Sequence, residues 1–134
     1  MFQEFFSDSA ESFFIAGAKE DPRFELTAVC SRTQERGEEF AAKYDIPHIF
    51  TSIEEMAASD KVDAVYIATP NCTHAQNAIL CMQHGKHVLC EKPLASNAVE
   101  ARQMVAASTK YGVTLMEAMK STLSPVFRCV QENL

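Results

Sequence analysis

A chain of 134 residues is long enough for one domain with one core, and its 47% hydrophobic and 22% charged residues are ordinary for a soluble globular protein. The net charge of −6 disfavours a general nucleic-acid surface, which needs clustered Lys and Arg. No apolar stretch approaches the roughly 20 residues that cross a bilayer, so neither a nucleic acid nor a membrane is an expected partner.

The opening "MFQEFFSDSAE" has no basic n-region and no cleavage-like site, so no secretory signal is read. The five cysteines, Cys30, Cys72, Cys81, Cys90 and Cys129, are odd in number and form no C-x-x-C pair. They read as small buried thiols in a reducing cytosol, and the expected location is cytoplasmic.

From residue 24 onward the elements alternate. "FELTAVC" (24–30) is a short apolar strand bounded by Pro22 and by Ser31-Arg32. "TQERGEEFAAKY" (33–44) predicts a helix with Thr33 as N-cap, an acidic first turn, and Phe40, Ala41 and Tyr44 on one face. "IPHIF" (46–50) predicts a second strand and "SIEEMAAS" (52–59) a short helix. "VDAVYIAT" (62–69) is nearly continuous in apolar residues, as expected of a parallel strand covered on both faces, and Pro70 stops it.

"NCTHAQNAILCMQHG" (71–85) places Ala75, Ala78, Ile79 and Met82 at helical spacing, with Gly85 where a C-terminus wants it. "KHVLCEK" (86–92) is the next strand. "SNAVEARQMVAASTKYG" (96–112) is the next helix, with Asn97 and Glu100 as a capping-box variant and Gly112 as its close. "VTLMEA" (113–118) is the last strand. The alternation predicts an α/β doubly wound parallel sheet, Rossmann-like, with strands near 25–30, 63–68, 86–90 and 113–117. Ligands of such sheets lie beyond the carboxyl ends of the strands. Ser31-Arg32, Thr69-Pro70-Asn71 and Glu91-Lys92 would all be delivered to that edge.

Lys92 precedes Pro93 and is therefore held extended. By its own surroundings it is an exposed lysine paired with Glu91; desolvated by a ligand, its pKa would fall and it could hold or transfer a proton. Ser31-Arg32 stands where dinucleotide-binding folds carry an acid for the ribose 2′-hydroxyl, and a guanidinium suits a 2′-phosphate instead. His48, His84 and His87 lack a partner at metal-ligand spacing, so no metal site is expected.

Together "HGKHVLCEKPLASNAVEA" (84–101), "VDAVYIATPNCTHAQNAILCMQHG" (62–85) and "LMEAMKS" (115–121) resemble the Gfo/Idh/MocA oxidoreductases, in their dihydrodiol dehydrogenase-like branch. The resemblance runs from about Phe13 to the C-terminus. It implies hydride transfer between NADP(H), or NAD(H), and a hydroxyl-bearing carbon of a sugar, polyol or diol. It implies Lys92 as the catalytic lysine, hydrogen-bonded to the reacting hydroxyl and the nicotinamide ribose. Glu91 would contact the cofactor side, and Pro93 would follow a peptide bond that is often cis in the family. Thr69, Pro70 and Asn71 would lie near the pyrophosphate and ribose. His74 matches a histidine common in that segment, where local packing is the expected role. Glu117 would lie near the cleft, with a role that could be purely structural.

The family pattern is departed from at both ends. The glycines are Gly17, Gly37, Gly85 and Gly112, so no G-x-G exists. "ESFFIAGAKEDPRFEL" (11–26) resembles the family's first helix and the lead into the second strand. The first strand and glycine-rich loop are therefore read as missing or replaced, and their loss would leave unpaired edges on two neighbours and remove the phosphate cradle. The expected organisation is an atypical segment at 1–12, a partial dinucleotide-binding domain at 13–120, and at 121–134 the start of a linker to an absent C-terminal domain. Full-length relatives are expected to be homo-oligomers. The chain alone is expected to bind NADP weakly or not at all and to be inactive; the alternative is a truncated fragment or non-catalytic interaction module of the same origin.

Overall fold

The computed structural model describes residues 2–4, 14–119, 129 and 131–132. Among the described residues the fold is carried by β1 (Phe2–Glu4), β2 (Ala28–Cys30), α1 (Gln34–Tyr44), β3 (His48–Phe50), α2 (Ile53–Ala58), β4 (Ala64–Ala68), α3 (Asn71–Gln83), β5 (His87–Cys90), α4 (Ala98–Tyr111) and β6 (Leu115–Glu117). Residues 14–18 are also helical. The sheet is parallel throughout, in the order β3-β2-β1-β4-β5-β6.

The central position is filled. β1 pairs with β2 through Phe2 and Gln3, and with β4 through Phe2, Gln3 and Glu4. The first strand is thus replaced rather than lost, and the expectation of unpaired edges at β2 and β4 is corrected. A second correction concerns the strand expected over 24–30, which is a strand only at Ala28–Cys30. Its neighbours β1 and β3 are three residues each, and a strand extends only as far as partners accept its backbone hydrogen bonds. Thr27 is the last residue tied in, through its carbonyl to His48 N–H (3.2 Å).

Local chemistry explains the helices. Thr33 is extended and its Oγ1 accepts the N–H of Arg36, which starts α1; Asp45, at φ 61°, ends it. Gly37 lies on the buried side of α1, where an added Cβ would come within 2.6 Å of Ile49 Cγ2, so glycine allows α1 to lie against β3. Gly112 closes α4 at φ 66°, a left-handed conformation that costs glycine little.

Two apolar layers sandwich the sheet. On one face Cys30, Ile67 and Cys90 pack with Met56 of α2, Ala78 and Met82 of α3, and Met104 of α4. On the other, Val29 and Tyr66 pack with Ile15, Phe40 and Ala41. Met82 and Met104 are 0% exposed, so truncating either to Ala costs about 2–5 kcal/mol. β4 is covered on both sides at Val65, Tyr66 and Ile67, as its continuous apolar run requires. β6 differs, because Met116 is 56% exposed.

Register positions the site. Phe50, Cys30, Gln3, Ile67, Cys90 and Glu117 form one row across all six strands. The residues that follow this row in each strand therefore emerge along a single edge.

Candidate functional site

Along that edge lie the exits of β2, β4, β5 and β6. At the β2 exit Ser31 is buried, with its N–H on Phe50 O (2.9 Å), and Arg32 is exposed. At the β4 exit Thr69 is buried and Pro70 and Asn71 are exposed. Thr69 Oγ1 meets Thr73 Oγ1 at 2.8 Å and accepts from Asn77 Nδ2 at 3.3 Å. Pro70 caps α3 by position only, for no side chain accepts from the first turn. Thr73 N–H donates to Pro70 O at 2.8 Å, so the first turn of α3 leaves the backbone N–H groups of Asn71 and Cys72 without a side-chain cap at the edge, the arrangement that suits an anion.

At the β5 exit the backbone N–H of Glu91 still pairs with Ile67 O (2.8 Å), and then regular structure ends. Tyr66 OH donates to Glu91 Oε1. The other carboxylate oxygen of Glu91 accepts the backbone N–H of Lys92 (3.2 Å). The Lys92–Pro93 peptide is cis. Pro93 O lies 2.9 Å from His74 Nδ1, and the N–H of Leu94 donates to Glu117 Oε1 at 2.8 Å. Lys92 itself is exposed, and its side chain meets no partner among the described residues.

The structure brings together most residues expected from the sequence and separates one from direct contact. Ser31, Arg32, Thr69, Pro70, Asn71, Glu91, Lys92 and Pro93 all emerge at the edge. His74 lies beneath it, 0% exposed, with Nε2 2.8 Å from Thr69 O and Nδ1 on Pro93 O. No polar atom of its ring is left to face a ligand.

Two residues escape the sequence reading, and a third, Glu117, was expected near the cleft but without its partner. Tyr66 holds Glu91 while its ring stacks on Phe14, with centroids 4.2 Å apart and planes 4° from parallel. The signal was a hydroxyl-bearing ring inside an otherwise apolar strand. Asn77 is a polar residue on the buried face of α3, 7% exposed. Glu117 binds the Leu94 backbone, which no spacing in the sequence foretells.

Cys90 ends β5 directly below the site. Burial, with Glu117 and Glu91 adding their negative charge, pushes its thiol up to about 12, which leaves it a protonated, inert core group. Burial likewise pushes Cys30 to about 11 and Cys81 to about 12. Among the described residues no cluster of three or more His, Cys, Asp or Glu could hold a metal ion. No helix among them is long and apolar enough to cross a membrane.

Residues 5–13, where a phosphate-binding turn would follow β1, lie outside the described residues. So does the segment expected as a linker over 121–134, except 129, 131 and 132.

A parallel sheet in the order 3-2-1-4-5-6, with a basic residue after β2 and an uncapped helix after β4, defines a dinucleotide-binding domain. Residues 7–119 match the family described as "Oxidoreductase family, NAD-binding Rossmann fold", and the chain belongs to this Gfo/Idh/MocA family. It is 53% identical over 121 residues to scyllo-inositol 2-dehydrogenase (NADP(+)) IolU of Bacillus subtilis (strain 168), which covers 90% of this chain and 37% of that protein. It is 44% identical over 110 residues to trans-1,2-dihydrobenzene-1,2-diol dehydrogenase of Mus musculus, covering 82% of this chain and 33% of the mouse protein. Among solved structures it is similar to KijD10, a 3-ketoreductase from Actinomadura kijaniata in complex with NADP and TDP-benzene. There the TM-score is 0.88 at 28% identity, over 98% of this chain and 40% of that one. The chain therefore spans little more than a third of the length of these relatives.

Proposed function

We propose that this chain forms the nicotinamide-nucleotide half of an oxidoreductase that moves a hydride between NADP(H) and a hydroxyl-bearing carbon of a sugar, polyol or diol. The observation that carries this reading is the register row that delivers Arg32, the Pro70–Asn71 helix start and Lys92 to one edge. The residues suit the group: an exposed guanidinium for a 2′-phosphate, backbone donors without a side-chain cap for phosphate or ribose oxygens, and a lysine without a partner among the described residues. The relatives add support, since one acts on an inositol with NADP(+) by its name and another on a diol. The three buried free thiols suit a cytoplasmic location.

A nicotinamide nucleotide, when bound, supplies the hydride chemistry. The chain's own task is to orient and to handle the proton. Lys92 Nζ, placed beside the reacting hydroxyl, holds its proton and passes it on as the C–H bond is made or broken. Glu91 braces the Lys92 backbone and is itself braced by Tyr66. Arg32 selects the phosphorylated ribose. These roles for Ser31, Arg32, Thr69, Pro70, Asn71, Glu91, Lys92 and Pro93 are part of the proposal. His74 serves it from below.

The test is nuclear magnetic resonance of the ¹⁵N-labelled chain titrated with NADPH or NADH to millimolar concentration, a range that reveals weak binding. Amide shifts should move at residues 31–32, 69–72 and 91–94, further with NADPH than with NADH. Arg32→Ala should weaken NADPH binding by roughly tenfold or more and leave NADH unchanged. Equal losses for the two nucleotides, or shifts confined to other parts of the chain, would defeat the assignment. In a protein completed to the length of its relatives, Lys92→Ala should lower turnover by about 10²- to 10⁴-fold with little change in NADPH affinity.

A further inference from the structure

We propose that His74 and Glu117 are positioning residues that grip one peptide unit, Pro93–Leu94, from its two ends and thereby fix the backbone that presents Lys92. The reason for side-chain anchors lies in the loop itself. After Glu91 no strand among the described residues pairs with the chain, and Pro93 has no N–H to donate. A backbone without ladder partners holds one conformation only where side chains satisfy its polar groups.

The anchors come from three elements. His74 Nδ1, on α3, lies 2.9 Å from Pro93 O. Glu117 Oε1, at the end of β6, accepts the N–H of Leu94 at 2.8 Å. These are the carbonyl and the amide of the same peptide. A donor at its oxygen and an acceptor at its hydrogen polarise it in the same sense, so each bond strengthens the other. Upstream, Glu91 holds the N–H of Lys92, with Tyr66 of β4 behind it. Lys92 is thus bracketed on both sides while its own side chain meets no partner among the described residues.

Burial makes His74 costly unless it is used. At 0% exposure an apolar residue would fill the space without a desolvation penalty, whereas an imidazole must find partners. Its two nitrogens face carbonyls of two different strand exits, Thr69 and Pro93. A carbonyl only accepts, so a neutral ring serves one of them and a protonated ring both. The clamp requires the proton on Nδ1 and is indifferent to Nε2. The consequence for Lys92 chemistry rests on the function proposed above; the clamp itself does not.

Paired variants separate positioning from packing. An Asn side chain places its N–H₂ where Nδ1 sits, and a Gln side chain reaches where Nε2 sits. His74→Asn should therefore keep the Pro93 contact, and His74→Gln should keep only the one to Thr69. Glu117→Gln keeps an acceptor for Leu94 N–H, and Glu117→Ala removes it. Hydrogen exchange of the Leu94 amide, read by NMR without any nucleotide, should rise roughly tenfold in His74→Gln and Glu117→Ala and stay near the parent rate in His74→Asn and Glu117→Gln. Equal exchange in the two His74 variants, or the reverse order, overturns the proposal. If the His74 variants fail to fold, as judged by circular dichroism, the Glu117 pair decides alone, and equal rates there overturn it. NADPH added afterwards should shift the Lys92 amide in the two retaining variants and not in the two broken ones. Absence of that shift in the parent chain counts against the nucleotide reading and leaves the exchange result to judge the clamp.

Discussion

The N-termini of α3 and α4 both follow a strand at the same sheet edge, yet they are finished in opposite ways. α4 is capped from within. Asn97 Oδ1 accepts the N–H groups of Val99 and Glu100 at 3.0 Å, and Glu100 reaches back to Ser96 N–H at 3.1 Å. α3 begins at Pro70 with no side-chain cap at all, and Thr73 Oγ1 turns to Pro70 O at 2.8 Å. The first helix needs nothing from outside to satisfy its opening turn. The second leaves its opening turn for whatever lies beyond the edge. Capping from within and the binding role proposed for α3 would both draw on the same physical feature, orphan N–H groups.

Converting α3 into a helix of the α4 kind is the strongest way to break this contrast. Pro70 has φ −55° and ψ 139°, a conformation an N-cap carboxylate can adopt. Pro70→Asp should lower NADPH affinity about tenfold or more, since a negative charge then occupies the place of the anion. Urea denaturation should at the same time show the variant no less stable than the parent. Should NADPH bind equally well to both, the open turn has no part in the site.

Stripping the cap from α4 should do the opposite. Asn97→Ala should cost about 1 kcal/mol in urea denaturation and leave the preference for NADPH over NADH as it was. A matching loss of nucleotide affinity would mean that the two helix starts are not independent.

The smallest effect compares two thiols of α3 itself. Cys72 is exposed in the first turn, and Cys81 is buried, its thiol pushed up to about 12 by that burial. An acid whose pKa is raised in the fold stays protonated where the unfolded thiol would ionise, so at pH 8 folded Cys81 has essentially no thiolate. Iodoacetamide at pH 8 should label Cys72 and spare Cys81, and NADPH should slow labelling of Cys72 by a fewfold. Mass spectrometry of the labelled peptides gives both readings. Above pH 9 the same shift should erode stability, because the unfolded thiols of Cys30, Cys81 and Cys90 lose protons that the folded ones keep.

Much of the fold was legible because its signals are local. Thr33 and Asn97 cap the helices they precede, since a short side-chain oxygen reaches the N–H two or three residues on. Gly112 ends α4 because a left-handed residue must follow. The apolar run of β4 announces a strand covered twice. The site's outline was legible for a related reason: in a parallel sheet the residue after each strand goes to one edge, so strand ends alone place Arg32, Thr69–Asn71 and Glu91–Pro93 together.

What the sequence by itself determined about this protein is therefore its alternation of elements, the caps that bound them, the edge to which its strand-end residues go and the family to which the chain belongs. Tertiary structure alone decided the rest. Three residues, Phe2–Glu4, carry no periodicity to announce a strand; two neighbours offering hydrogen bonds on either side make them one. Tyr66 and Glu91 are 25 residues apart, His74 and Pro93 19, Leu94 and Glu117 23. Contacts at such separations depend on the register and packing of whole elements, and local propensity carries no record of them.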